Sequence, residues 1–441
     1  MENFANISII NKDGAFKLPL GASINHFLSL KNVLFIVIDT HCDMSTKIIC
    51  SLITNEIPVM IISDLLSRND YLKISKEIKN SVLLYSEKSF AKGKIWNLSK
   101  KNNISTIEQP KLITSSKQSI DQNLGLILMT SGSTGIPKFV AISKDDLKAR
   151  ANQEIQYFKI TQEDKVLNIL PFSHDVGLNQ LLCGIFHKHS LFISKTWNPK
   201  VLIEVIKKYK INGVSLTPFY WKLLIEHDLI NDLLDTNLKY LTISAGDLSR
   251  NEHSKLLILK NKINIYKTYG QTETFRSLIN TNYYKNQLAI GKKIENTQIN
   301  FENSKTNQGF LTHNGTGKML GYFNPSENKI TSHQSEPIKT GDEFKVEKDF
   351  YYFLGRKDKM IKKNGNRFYP NDIINKLSNH EIEALVEYKD KKLIICLKEN
   401  KKINSLLPNY MRPDKILIVP DFLKTQSGKL SARRTIEKYE D

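Results

Sequence analysis

The sequence predicts an α/β protein: a large N-terminal domain of βα-layered sheets with a small β-rich subdomain, followed by a small α+β C-terminal domain. Three observations carry this expectation. From about residue 30 to residue 270, short runs of Ile, Val and Leu alternate with stretches of helical spacing. After residue 285 the apolar runs shorten, and Gly, Asn and Asp come between them. Past Gly355 a charged turn opens a further unit with its own helix and strands. The expected domains are therefore 1–354, with the β-rich subdomain at about 285–354, and 355–441, with the break at Gly355–Lys359.

Val33–Ile38, Pro58–Ser63, Leu124–Thr130, Val166–Leu170, Gly213–Leu216 and Tyr240–Ser244 are apolar runs. Strands covered on both faces require such runs, so the pattern predicts mostly parallel sheets packed by helices. Met44–Asn55, Lys144–Phe158, Pro199–Lys210, Tyr220–Leu229 and Asn251–Leu259 supply the helices, with Asp145 and Ser249 as first-turn or capping residues. Gln298–Phe301, Gly309–Thr312 and Phe350–Leu354 read as strands of the subdomain. A helix around Asp372–Leu377 and strands at Ala384–Tyr388 and Leu393–Leu397 build the last unit.

A chain of 441 residues, 40% hydrophobic and 25% charged, suits a multidomain globular protein and not a disordered or fibrous one. No apolar run approaches the roughly 18–20 residues that span a bilayer. The Met-Glu-Asn start lacks a basic region followed by an apolar one, so the expected location is cytoplasmic. Cys42, Cys50, Cys183 and Cys396 form no C-x-x-C pair, which suits reduced, buried thiols. His187 and His189 have no nearby Cys or carboxylate to complete a metal set. The net charge of +19 comes mostly from lysines spread along the whole chain, with no arginine-rich arm. It reads as a solvated surface that attracts anionic substrates, with neither nucleic acid nor a membrane as partner.

The richest stretch is Met129-Thr-Ser-Gly-Ser-Thr-Gly-Ile-Pro-Lys138. Gly132 and Gly135 permit tight turns that expose amide N–H groups, Thr130, Ser131, Ser133 and Thr134 add hydroxyls, and Lys138 adds a positive charge. Together they suit a phosphate cradle, expected between a strand and a helix. It is not the P-loop pattern, because Lys138 is followed by Phe and not by Ser or Thr. In Tyr269-Gly-Gln-Thr-Glu273 an aromatic ring, a hydroxyl and a carboxylate stand together, and Mg²⁺ needs only one or two carboxylates besides substrate phosphates. Asp342, in Lys339-Thr-Gly-Asp342, is a short carboxylate after a Gly turn, suited to accept from a ribose diol.

These motifs occur in the order that resembles the adenylate-forming superfamily of acyl-CoA synthetases, peptide-synthetase adenylation domains and beetle luciferases. Pro171-Phe-Ser-His-Asp-Val-Gly-Leu178, Ser244-Ala-Gly-Asp-Leu248, Gly355-Arg-Lys-Asp358 and Lys424-Thr-Gln-Ser-Gly-Lys429 complete the series. The resemblance implies that Tyr269 stacks on adenine, Thr272 meets the α-phosphate and Glu273 holds Mg²⁺. It also implies that the loop at Gly246 passes the adenine, and that Asp342 and Arg356 bind the ribose. His174, Asp175 and Asn179 would border the acid pocket, with Leu178 and Phe219 nearby. Lys429 would bridge carboxylate and α-phosphate. The C-terminal domain would be mobile about Asp358, bringing Gly365 to the thiol tunnel. Phe310 replaces an acidic residue of the family pattern, and Asp372 replaces a Glu.

The implied reaction uses ATP and Mg²⁺ to join a small carboxylic or amino acid to AMP, with CoA or a carrier-protein phosphopantetheine accepting the acyl group. Two rivals are an enzyme that passes the adenylate to a non-thiol acceptor and a non-catalytic nucleotide-binding protein. Retention of Glu273, Asp342 and Lys429 disfavours the second. Asp175 has two readings: it holds an α-ammonium, as in amino-acid-activating relatives, or it caps a helix beginning near Gly177.

Overall fold

The computed structural model describes residues 7–11, 14–17, 34–39, 43–63, 74, 81–85, 95–97, 121–131, 137–195, 198–246, 248–302, 307–332, 335–423 and 430–440. Two large mixed sheets dominate. The first, nine-stranded, runs Lys292–Lys293, Phe275–Asn280, Asn264–Gln271, Tyr240–Ile243, Gly213–Leu216, Lys165–Asn168, Ser190–Ser194, Ile7–Asn11 and Gly14–Lys17. Its middle strands are parallel, and antiparallel hairpins close both ends. The second, eight-stranded, runs Lys329–Ser332, Gly321–Asn324, Pro137–Ser143, Leu124–Ser131, Val59–Ser63, Leu34–Asp39, Ser81–Tyr85 and Ile95–Asn97.

Period-two alternation decides which face each strand buries. Phe35 and Val37 join one core with Val59 and Ile61, while Leu34 and Ile36 join another with Met60 and Ile62. The first of these cores also takes Val166, Leu191, Ile193 and Tyr240 of the nine-stranded sheet. The helices Asp43–Thr54, Lys144–Phe158 and Asp175–His187 contribute Ile49, Ala151 and Leu181 to it, so they lie between the two sheets. The helices Pro199–Tyr209, Pro218–Glu226 and Arg250–Leu256 cover the other face of the nine-stranded sheet.

The expected elements stand with small boundary shifts, and two differences matter. The strand Pro137–Ser143 follows the phosphate loop directly and pairs antiparallel with Leu124–Ser131. A strand, and not the expected helix, therefore comes next after the loop segment; the helix starts only at Lys144. Its N-cap is Ser143, which accepts from the Asp146 amide at 3.1 Å, with Asp145 in the first turn. Ser249 is an N-cap, locked with Glu252 in a reciprocal capping box. The helix Asp175–His187 begins two residues before Gly177, with His174 at its N-cap and no side-chain capping bond.

Beyond residue 295, Thr297–Phe301, Gln308–Gly315, Ile338–Glu347 and Phe350–Arg356 form a four-stranded antiparallel sheet. The hairpin Ile361–Lys363/Asn366–Phe368, the helix Pro370–Ser378 and a three-stranded sheet follow, with a core of Ile373, Leu377, Val386 and Ile395. This last unit meets the preceding chain through the Tyr369 hydroxyl, which donates to Glu343, and through the Lys222–Glu383 ion pair. Among the described residues no helix is long and apolar enough to cross a membrane, and Cys50, Cys183 and Cys396 are free and buried. Cys42 lies outside the described residues.

Candidate active site

The Tyr269–Glu273 motif is the end of one strand and the turn into the next. A Cβ at Gly270 would lie 1.4 Å from the Phe275 carbonyl oxygen, so only glycine allows this crossing. The ladder register shifts between Tyr269 and Gly270, and the Gln271 amide donates to Thr274 Oγ1 at 3.1 Å. The turn sets Tyr269, Gln271 and Glu273 at the end of the nine-stranded sheet, beside the four-stranded one.

Asp342 comes from that second sheet, in register with Arg356. It is 3% exposed, and its Oδ2 accepts from the Tyr269 hydroxyl at 2.6 Å and from Gln271 Nε2 at 2.9 Å. Arg356 Nη1 stands 3.2 Å from Oδ1 as an ion pair, yet Oδ1 is buried and receives no hydrogen bond. Arg356 Nε reaches Asp358 Oδ1 at 3.2 Å. Burial pushes the Asp342 carboxyl up, against the pull of the Tyr269 hydroxyl and Arg356. Burial and the adjacent Asp342 also push the Tyr269 phenol well up, so it stays protonated and donates. Its ring packs edge-on to Phe344, with centroids 4.8 Å apart.

A second cluster lies two residues on. Glu273 Oε1 accepts from the Tyr322 hydroxyl at 3.1 Å, and Lys138 Nζ sits 5.0 Å from the centroid of the Tyr322 ring. Tyr322 can serve both because its strand pairs with Pro137–Ser143. Lys138 itself is exposed and lies opposite the half-buried Thr130. Thr272 is half-buried in the turn. Gly246 is exposed after Ala245, whose φ of +66° bends the loop back, and a Cβ there would lie 3.0 Å from Pro218 Cγ.

Around the expected acid pocket, His174 is exposed. Asp175 does not cap its helix as one reading had it: the helix begins at Asp175, and its carboxylate pairs with Arg276 Nη1 at 3.1 Å. Arg276 Nε reaches Glu154 Oε1 at 3.0 Å. Asn179 is buried, its Nδ2 3.8 Å from Cys183 Sγ. Burial raises the Glu154 carboxyl, and Arg276 and Asn179 oppose that rise. In the C-terminal unit Gly365 is at a hairpin tip with φ +74°, after Asn364 at +52°. This is the Asn-Gly pair a tight hairpin favours, and a Cβ at Gly365 would meet nothing within 4 Å.

The fold thus gathers Tyr269, Asp342, Arg356 and Asp358 in one cluster, and Lys138 and Glu273 in another. The Ser131 side chain, Gly132, Ser133, Thr134, Gly135 and Lys429 lie outside the described residues. Sequence reasoning missed Gln271, Tyr322, Arg276 and Glu154. Gln271 occupies the variable position of its motif, and the other three lie in none of the quoted motifs. His187 and His189 meet through their Nδ1 atoms at 3.4 Å, and burial pulls His189 down to about 4. No group of three metal-ligating side chains forms among the described residues.

The model of the AMP-binding enzyme family matches residues 46–323, from the first helix between the sheets to the strand carrying Tyr322. The chain belongs to the AMP-binding enzyme family. Similar curated members include a D-alanine--D-alanyl carrier protein ligase of Listeria monocytogenes, 25% identical over 70% of this chain and 68% of that protein. A 2-succinylbenzoate--CoA ligase of Staphylococcus epidermidis is 25% identical over 57% of this chain and 53% of that one. Among solved structures, the o-succinylbenzoate CoA synthetase of Bacillus subtilis with its acyl-adenylate intermediate shares the fold. Its TM-score is 0.76 at 17% identity, over 96% of this chain and 93% of that one. This AMP-binding enzyme is therefore α/β with a family-wide arrangement of mixed sheets.

Proposed function

We propose that this chain is an ATP-dependent, AMP-forming ligase that activates an amino acid and passes it to the thiol of a carrier-protein phosphopantetheine or of CoA. The observation that carries the nucleotide site is Asp342 Oδ1, a buried oxygen that receives no hydrogen bond. Leaving it unsatisfied is costly, and a ribose hydroxyl supplies the missing donor. Arg356 stands beside the same sugar, Tyr269 offers its ring to the adenine, and the loop at Gly246 passes it.

In the first step a carboxylate oxygen of the acid attacks the α-phosphorus of ATP. The bond from that phosphorus to the bridging oxygen breaks, and pyrophosphate leaves with the electron pair. Both reactants are anions, so fixed positive charge and donors lower the barrier. Lys138 and the loop Ser131–Gly135 face the phosphates, Thr272 faces the α-phosphate, and Lys429 bridges both anions. Glu273, tied to Tyr322 and standing near Lys138, fits a cation that takes one protein carboxylate plus phosphates. Mg²⁺ there would supply further screening of the phosphate charge. In the second step the thiol sulfur attacks the carbonyl carbon, its proton goes to solvent, and AMP leaves. The chain is read as domains 1–354 and 355–441, the second turning about Asp358 to bring the open Gly365 tip to the thiol arm. The expected compartment is the cytoplasm. The acid is read as an amino acid because Asp175, paired with Arg276, lies in the segment of His174 and Asn179, and because the carrier-protein relatives act on D-alanine.

Pyrophosphate release across amino, aryl and fatty acids tests the assignment. Lys429→Ala should cut release by about 10²–10³ while acyl transfer from supplied acyl-AMP continues. Equal loss of both steps in a variant that melts like the native protein overturns the role. Gly365→Leu should spare adenylation and block thioester formation.

A further inference from the structure

Outside the nucleotide motifs, Glu154, Arg276 and Asp175 form a buried cluster of charges linked through one guanidinium. Their side chains are 5%, 4% and 19% exposed. They come from three elements: the helix Lys144–Phe158, the strand Phe275–Asn280 and the first residue of the helix Asp175–His187.

We propose that Glu154 and Arg276 are positioning residues for the acid substrate, forming with Asp175 a triad of net charge −1 whose surplus falls on Asp175 and selects an ammonium-bearing acid. This rests on the amino-acid reading above and adds to it the residues that set the charge. One guanidinium faces two carboxylates, Nε on Glu154 at 3.0 Å and Nη1 on Asp175 at 3.1 Å. With Asp175 alone, Arg276 would make a neutral pair with no preference for a charged ligand. Glu154 restores the negative balance from inside the protein: burial raises its carboxyl, and the Arg276 guanidinium 3.0 Å away opposes that rise and favours the ionised form. The nearby Arg150 does not cancel it, being ion-paired to Asp146 at 2.6 Å.

Two further features keep the surplus on Asp175. It is the most exposed of the three, so a ligand cation reaches the triad there. It is also the first residue of a thirteen-residue helix, where the exposed amide N–H groups favour a carboxylate. Arg276 is itself held in place, its guanidinium 5.1 Å from the centroid of the Phe275 ring. The triad therefore presents a fixed anion before any substrate arrives, and an α-ammonium completes the charge balance that a deaminated acid leaves open.

Pyrophosphate exchange with alanine of either hand against propionate, and with phenylalanine against hydrocinnamate, provides the test. In Glu154→Gln the triad becomes neutral. The KM for the preferred amino acid should rise roughly tenfold, with kcat, the KM for ATP and the KM for the deaminated acid near their native values. Glu154→Asp, which keeps the charge, should recover most of the loss. Arg276→Lys also keeps the net charge and should keep the amino-acid preference, which guards against a Glu154→Gln variant that fails to fold. An unchanged amino-acid KM in Glu154→Gln, or an equal rise for the deaminated acid, overturns the proposal. Should the native enzyme turn over deaminated and amino acids alike, the amino-acid reading falls first, and this proposal with it.

Discussion

Two arginines each bridge two carboxylates, and the two bridges behave differently because water reaches one arginine and not the other. Arg356 joins Asp342 to Asp358 with its side chain 46% exposed, and Asp358 is 40% exposed. Arg276 joins Glu154 to Asp175 with its side chain 4% exposed. In water an ion pair gains little, because solvent solvates the separated charges nearly as well. In a buried site the same pair is expensive to assemble and more expensive to break, because a removed partner leaves a bare charge behind. The exposed bridge can therefore open at the expected hinge, whereas the buried one holds its charges in place.

The largest test of that contrast is stability. Arg276→Met should lower unfolding free energy by about 3–5 kcal/mol, and Arg356→Met by less, because its Asp358 arm lies in water although its Asp342 arm is buried, both read by urea titration. Equal losses would erase the distinction. A buried group kept neutral sharpens it. His313 is fully buried, its Nε2–H donates to the Thr316 carbonyl at 3.0 Å, and its Nδ1 accepts from Ser277 Oγ at 3.0 Å. Burial pulls its pKa down to about 4, against about 6.5 in the unfolded chain. The unfolded state then binds the extra proton, so stability present above pH about 6.5 should fall by about 3 kcal/mol as pH drops to about 4. Replacing His313 with Gln should remove that part of the acid sensitivity in urea titrations run across this pH range.

The Asp342 side of the exposed bridge carries the next effect. Asp342→Asn should weaken ATP by about 2 kcal/mol, near thirtyfold, since a charged acceptor is lost. Calorimetry giving native affinity would remove Asp342 from the ribose. The smallest effect is the Arg356–Asp358 coupling. A double-mutant cycle should give about 0.5 kcal/mol at low salt and nothing at about 1 M salt. The Arg276–Asp175 coupling should survive the same salt.

The nucleotide side of the site was legible because its residues lie in short motifs, where one glycine or one turn sets several side chains at once. Tyr269, Asp342, Arg356 and Asp358 were all nameable, and they meet in the fold. The acid side was only half legible. Asp175 could be named from its neighbour His174, but its partner is 101 residues away. No local pattern announces a buried arginine on the strand Phe275–Asn280. The same limit explains the phosphate loop, where the run Pro137–Ser143 is short enough to be read past on the way to the helix.

By itself, then, the sequence determined the order of elements, the α/β layering of sheets and helices and the family to which the motifs point. Local chemistry suffices for these: apolar periodicity chooses strand or helix, and fixed spacing within a turn places a carboxylate or a hydroxyl. Tertiary structure alone decided that the strands flanking the phosphate loop pair antiparallel, that Tyr322 joins Glu273 to Lys138, and that Arg276 ties Asp175 to Glu154. Those facts depend on which faces of distant elements meet across the core between the sheets. That meeting also decides how much water remains around each charge, and so what the charge can do.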